Sequence, residues 1–226
     1  SKTIAAEHCM AEDRQCILDM IDTSAAAITE KSWRDQTYRE LAKTRAFEGD
    51  LSGALAVIPK IESADTQAMS IRGIGMILAA KNLPRNEYEQ AFVQIRTVAE
   101  TIKHPPSYAI ALTYIAMSQA FARDNEGAWA TAADMDNDAL RHKAYAEIAE
   151  IQAEFGNFQG AMTSISKIES LAFRNKAYQI ISKILADRSE FQTALSAAMK
   201  VTNPYKKARA MQYILDKQKP RTLKRK

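Results

Sequence analysis

The sequence predicts an all-α fold, an α-solenoid of stacked helix–turn–helix repeats with about twelve helices. Two observations predict it, and the first is composition. Among 226 residues Ala occurs 39 times and Val 4 times, while Gly and Pro together number 13. Ala is the strongest helix former, and Gly, Pro and β-branched residues are the ones helices exclude. An all-β chain, a collagen-like chain and a long disordered segment are thereby excluded, and the length suffices for a substantial core. The second observation is self-similarity. Ala111, Ala144, Ala177 and Ala210 recur at intervals of 33 residues, as do Ile115, Ile148, Ile181 and Ile214. Ala128, Ala161 and Ala194 keep the same interval in a second register. Upstream, Tyr38, Leu41 and Ala42 match Ile71, Ile74 and Gly75 at 33, and the next copy, Leu112, Ile115 and Ala116, follows after 41.

In chain order, residues 1–31 form a leading segment, with a helix expected around Ala11–Thr29 that carries Ile21, Ala25 and Ile28 on one face. The repeat domain spans residues 32–217. Its first unit places Tyr38, Leu41 and Ala42 on one helix, turns at Gly49-Asp50, and continues with Leu51, Ala54, Ile58 and Ile61 at helical spacing. The longer interval after the second unit is expected to arise from four extra residues in each of two Pro-containing turns, around Leu83–Asn86 and His104–Pro106. A later unit repeats the first: Tyr145, Ile148, Ala149 and Gln152 mark one helix, Gly156-Asn157 closes it, and Phe158, Ala161, Ile165 and Ile168 form the stripe of its partner. Asn203-Pro204 opens a last helix that runs to about Lys217. Small residues at Ala42, Gly75, Ala116, Ala149 and Ser182 allow paired helices to approach closely. Trp33 and Trp129 are expected to pack at unit boundaries.

Charge is distributed unevenly. From Lys200 to Lys226 ten basic residues face Asp216 alone, a net of +9, whereas the rest carries 21 basic and 26 acidic residues, a net of −5. Residues 218–226 read as a basic tail. Cys9 and Cys16 are too far apart for a disulfide if both lie on one helix, about 10 Å along its axis. They can be bridged if Cys9 sits in a turn before the helix. A bridge suits an exported or periplasmic protein, and two buried thiols suit a cytoplasmic one. No apolar run of about 18 residues occurs, so a soluble protein is expected.

The aromatic-x-x-Leu/Ile-Ala step (Tyr38, Leu41, Ala42; Tyr145, Ile148, Ala149), the Gly-Asp or Gly-Asn turn and the Ala of the second helix resemble the tetratricopeptide repeat family over roughly Ser32 to Lys217. The resemblance implies a right-handed superhelix whose concave face, lined by the first helix of each unit, holds a peptide or partner protein. Three features project there in this register. Lys143, Lys176 and Arg209 recur once per unit, with Arg141, Arg174 and Lys207 beginning the same helices, a row that suits an acidic segment or else pairs with Glu147, Glu150 and Glu154. Arg39, Lys43 and Arg72 form a basic cluster on the first two units. Ile110, Tyr114, Met117 and Phe121 form a second apolar stripe, joined by Met69 and Met76, which is either covered by its own chain or suited to an apolar partner segment.

Catalytic and metal-binding patterns are absent from the sequence. His8, His104 and His142 fit no metal-ligand spacing, no Gly-rich phosphate loop occurs, and Asp134 and Asp136 fall in a turn. The expectation is a non-enzymatic scaffold or adaptor, without cofactor, metal or small-molecule substrate, whose partner is a protein or peptide that is acidic or bears an apolar segment. The alternatives are a structural subunit of a larger assembly, and anchoring to nucleic acid or an anionic membrane through the basic tail.

Overall fold

The computed structural model describes residues 8–218 of the chain, so the basic tail beyond Gln218 lies outside the described residues. Among the described residues there are twelve α-helices and no strand. They are α1 (Arg14–Ala26), α2 (Lys31–Phe47), α3 (Leu51–Val57, extended by a 3-10 turn Ile58–Lys60), α4 (Ala64–Ala80), α5 (Arg85–Ala99), α6 (Pro105–Phe121), α7 (Asn125–Ala133), α8 (Asp138–Glu154), α9 (Phe158–Ser166), α10 (Leu171–Asp187), α11 (Phe191–Met199) and α12 (Pro204–Gln218). The even-numbered helices from α2 to α10 each have 17 residues. Between the later ones lie α7, α9 and α11 of 9 residues each. The chain divides into two compact units, residues 1–118 and 119–226, with the division in the last turn of α6.

Each long helix ends in the same way. Positive φ occurs at Gly49 (92°), Asn82 (50°), Arg123 (63°), Gly156 (74°) and Ser189 (61°), the positions just past α2, α4, α6, α8 and α10. At four of these ends the amide of the following residue reaches back to a carbonyl of the last turn: Asp50 N to Arg45 O and Asp124 N to Gln119 O at 2.9 Å, Asn157 N to Gln152 O at 2.8 Å and Glu190 N to Leu185 O at 2.9 Å. This closure satisfies carbonyls the helix leaves bare and reverses the chain. The residue after the turn then caps the short helix. Asp50, Asp124 and Asn157 side chains accept from the amides of Gly53, Gly127 and Gly160 at 2.8, 3.0 and 2.9 Å. A Cβ on Gly53 would lie 2.0 Å from Asp50 Oδ2, so glycine at this third position is part of the cap.

Unit 1 holds α1 to the body of α6. Its core carries the repeat residues Leu41, Ile58, Ile61, Ile71, Ile74 and Ile115, each at most 2% exposed. Gly75 meets α6 where a Cβ would fall 2.5 Å from Ser118 Oγ, the close approach the small residue was expected to provide. The leading helix begins at Arg14, later than the expected Ala11, because Asp13 caps it by accepting from the Cys16 amide at 3.1 Å. α1 docks on α2 through buried Leu18 and Ala25 and through Arg45, whose guanidinium lies 3.1 Å from Asp19 and 3.6 Å from Asp50. The extra residues of the second unit correct the sequence expectation: α5 has 15 residues instead of 9, so most of the insertion lengthens a helix and little of it lies in turns. Inserted residues that continue a helix keep their backbone hydrogen bonds, and Tyr88, Ala91, Phe92 and Ile95 keep an apolar face buried.

Unit 2 holds the end of α6 and α7 to α12. Ala128, Ala144, Ile148, Ala161, Ile165, Ile181 and Ala194 are fully buried, as their recurrence predicts. Polar side chains bridge long to short helices at a fixed spacing: Thr131 donates to Gln119 Oε1 at 2.6 Å, and Ser164 donates to Gln152 Oε1 at 2.5 Å. Trp129 packs as expected, its indole N–H donating to Ser164 at 2.8 Å, and Gln152 donates to Asn125 at 2.9 Å. Trp33 departs from expectation. It is 66% exposed in unit 1, beside an open groove of about 330 Å³ that it lines with Ile21, Gln36, Thr37, Glu40, Leu41 and Thr44.

Junctions between successive pairs use a second recurring device in both units. Asp35 accepts from the amides of Glu62 and Ser63 at 2.9 Å each, His142 Nε2 from the Glu169 amide at 3.4 Å, and Asn175 from the Thr202 amide at 3.0 Å. Each side chain sits in the second turn of a long helix and satisfies the N-terminal amides of the following junction.

Candidate partner-binding surface

In unit 2 the sequence row resolves into two sets. Arg141 and Arg174 turn inward and donate to the carbonyls of Met135 and Ile168 at 3.0 and 2.6 Å. In unit 1 Arg34 and Gln67 do the same for Ile28 and Ile61 at 3.3 and 2.9 Å. These residues are therefore junction fasteners, which removes Arg141 and Arg174 from the recognition row. Lys143, Lys176 and Arg209, on α8, α10 and α12, are exposed and form no hydrogen bond or ion pair among the described residues. No close ion pair forms between the row and Glu147, Glu150 or Glu154, although Lys176 lies near enough to Glu150 for their charges to interact. Burial pushes the Glu150 carboxyl up to about 7, helped by Glu147 and Glu154 and opposed by Lys176. Beside Arg209, an open cleft of about 130 Å³ between α10 and α12 is lined by Gln179, Lys183, Gln212, Tyr213 and Asp216. The Tyr213 hydroxyl donates to Asp187 at 2.6 Å, a bond that raises the phenol and lowers the carboxyl.

In unit 1 the three basic residues do not converge. Lys43 pairs with Glu40 at 3.3 Å while its stem covers Gly73, and Arg72 lies 5.5 Å over the Tyr114 ring. Arg39 stands apart. It is half-buried, its Nε is closed off from solvent without an acceptor, and it lines a cleft of about 360 Å³ with Glu30, Lys31, Ser32, Asp35, Gln36, Ser63 and Thr66.

The apolar stripe is only partly covered: Ile110 is exposed, and Tyr114, Met117, Phe121, Met69 and Met76 are half-buried. The Tyr114 hydroxyl reaches Met69 Sδ at 3.3 Å, Met117 is half-buried, and Ile110 is 36% exposed. Phe121 belongs to unit 2, where its ring meets Phe155 edge-on at 6.0 Å. The chain covers part of the stripe, through the Tyr114–Met69 and Phe121–Phe155 contacts, and leaves Ile110 at the surface. Sequence reasoning missed the isolation of Arg39, because periodicity reports which face a residue is on and says nothing of whether an acid reaches it.

Two histidines have structural partners: His104 Nδ1 lies 2.7 Å from Ser107 Oγ, and His142 caps a junction. Cys9 and Cys16 are joined in a disulfide, with Cα atoms 5.7 Å apart, Cys9 preceding the helix and Cys16 in its first turn. Among the described residues no three His, Cys, Asp or Glu side chains converge to hold a metal ion, and no helix is long and apolar enough to cross a membrane.

No protein-family model matches the chain, and no curated protein does. Among solved structures, Ton1535 from Thermococcus onnurineus NA1 is similar at 17% identity over 93% of this chain and 77% of the other, with a TM-score of 0.26, too loose a superposition for any property to be carried across.

Proposed function

We propose that the protein is a non-catalytic, tetratricopeptide-like repeat scaffold that binds an acidic segment of another protein along the long helices of unit 2. The observation that carries this reading is the row Lys143, Lys176 and Arg209, which recurs at the repeat interval, is exposed, and forms no hydrogen bond or ion pair among the described residues. A charge that stabilised its own helix would have a neighbour at close range, and Arg141 does have one in Asp138 at 2.8 Å. The partly protonated Glu150 supports the reading by relieving negative charge beside the row near neutral pH. The Cys9–Cys16 bridge supports an oxidising, exported location. The test is fluorescence anisotropy with an acidic peptide and its Gln-substituted counterpart. Lys143→Glu with Lys176→Glu should weaken the acidic peptide at least about tenfold, or 1.4 kcal/mol, with unchanged thermal unfolding. Binding that survives this change and disappears on deletion of residues 219–226 would assign recognition to the basic tail instead.

A further inference from the structure

We infer that the cleft between α2 and α4 in unit 1 is a carboxylate-binding site with Arg39 as its anchor. Two arginines on α2 differ in what surrounds them. Arg45 and Arg39 both have a buried Nε with no acceptor. Arg45 compensates through its terminal nitrogens, with Asp19, Asp22 and Asp50 within 3.1 to 3.9 Å. Arg39 has no acid and no hydrogen bond among the described residues, although it is half-buried at the wall of a cleft large enough for a side chain. A guanidinium is charged at every physiological pH and carries five donors, so a partly desolvated one requires acceptors from somewhere. The fold supplies none, and because Nε is sealed from solvent, a ligand in the cleft that Arg39 lines would meet the terminal nitrogens of the guanidinium.

The other cleft groups narrow the chemistry of what enters. Glu30 and Asp35 are committed: Glu30 accepts from the amides of Ser32 and Trp33 at 3.2 and 2.8 Å, and Asp35 from those of Glu62 and Ser63 at 2.9 Å each. Their charge is thereby matched to the amino ends of α2 and α4, and Glu30 is held below the ordinary glutamate range by its Ser32 and Trp33 bonds. Lys31 is paired with Glu62 at 3.2 Å. Arg39, the exposed Gln36 amide and the Ser63 and Thr66 hydroxyls remain as donors without an acceptor, a planar fork among neutral donors. That set fits a single planar carboxylate bound in bidentate fashion better than a compact dianion, which would meet two fixed carboxylates at the same wall. This site is carried by Arg39 alone and does not rest on the basic row of unit 2.

The experiment follows the Arg39 Nε–H signal by NMR in the full chain, assigned by its loss in Arg39→Lys. The probes are sodium acetate against sodium chloride at matched ionic strength, then three capped peptides: one with a Glu side chain and an amidated end, one with Gln in its place, and one with no acidic side chain and a free carboxyl end. A saturable downfield shift with acetate and with either carboxylate peptide, absent with chloride and with the Gln peptide, supports the site. The stronger of the two peptide arms names the source, side chain or chain end. Binding to the variants is read by calorimetric titration with the carboxylate peptides: Arg39→Lys should weaken it about tenfold by losing the fork, and Gln36→Glu should weaken it by like charge while leaving Arg39 in place. No saturable shift, or one equal for the Gln peptide, would mean that water alone serves Arg39 and would overturn the site. The acidic-segment reading of unit 2 is measured separately through Lys143 and Lys176 and survives that result.

Discussion

Where the last turn of a long helix meets its neighbours, unit 1 places the charged Arg45 among Asp19, Asp22 and Asp50, whereas unit 2 places neutral Gln119 and Gln152 against Thr131 and Ser164. One interval further along, the same two positions are Leu185 and Ala197, both fully buried. Three chemistries thus occupy one backbone position. What the position demands is that nothing polar be left without a partner, and the demand can be met by charge, by neutral hydrogen bonds, or by having no polar group at all. The difference also has a local cause. Unit 1 must hold α1, an extra helix outside the repeat, and a charged cluster reaches where a short Gln–Ser pair would not.

The largest effect should come from breaking the charged version. Arg45→Leu leaves Asp19 and Asp50 without their cation, while Asp22 keeps Lys60 at 2.7 Å, and should cost about 3 kcal/mol in urea unfolding while raising hydrogen exchange in α1 and α2 above that in α8 and α10. Equal loss of protection in both units would show that the joint is not local. Next is the neutral version: Gln152→Leu alone should cost about 1 kcal/mol by taking the donor from Asn125 and one of two acceptors from Ser164, whose hydroxyl keeps the Gly160 carbonyl. Adding Ser164→Ala brings the pair itself to the Leu185–Ala197 chemistry but takes the acceptor from the Trp129 indole N–H, so it should recover only part of that loss. A double variant as unstable as the single would refute the interchangeability of the three solutions.

Two further effects sharpen the comparison within unit 2. Gly156 and Ser189 both take positive φ, 74° and 61°, at equivalent helix ends. Gly156→Ala should therefore lower stability by about 1 kcal/mol and Ser189→Gly should raise it by a similar amount, both read from thermal unfolding. The last concerns pH. In the folded state Glu150 keeps its proton up to about 7, above the ordinary glutamate value of 4.5. Folding therefore favours the protonated form, and its stabilising contribution is full below that ordinary value and declines as pH rises through 7. Glu150→Gln should flatten this decline and raise stability at pH 8 by about 1 kcal/mol after allowance for solvent screening. An unchanged pH profile would remove Glu150 from the account.

Much of the architecture was legible in the residues themselves. Helix content follows from Ala usage, and the interval of 33 follows from Ala and Ile at matched positions, because a repeated helix pair must bury the same face each time. The Gly49 and Gly156 turns and the Asp50 and Asn157 caps are local devices whose chemistry lies within a few residues. For the candidate surfaces the same limit worked in reverse. Periodicity placed Lys143 and Arg141 side by side on one helix, but only packing distinguishes the exposed lysine from the arginine that binds the Met135 carbonyl. The extra residues of the second unit could equally loop out or extend α5, and the choice depends on whether Tyr88, Phe92 and Ile95 find a face to bury against.

The sequence by itself determined the class of fold, the repeat, and the ends of most helices, since these depend on propensity, spacing and caps, which act over one or two turns. The tertiary structure alone decided which charges are spent and which remain available. Pairing Arg45 with Asp19, bridging Cys9 to Cys16, covering Tyr114 with Met69 and leaving Arg39 without an acid all depend on distances across helices. A buried charge is stable or costly according to neighbours that the chain order does not name.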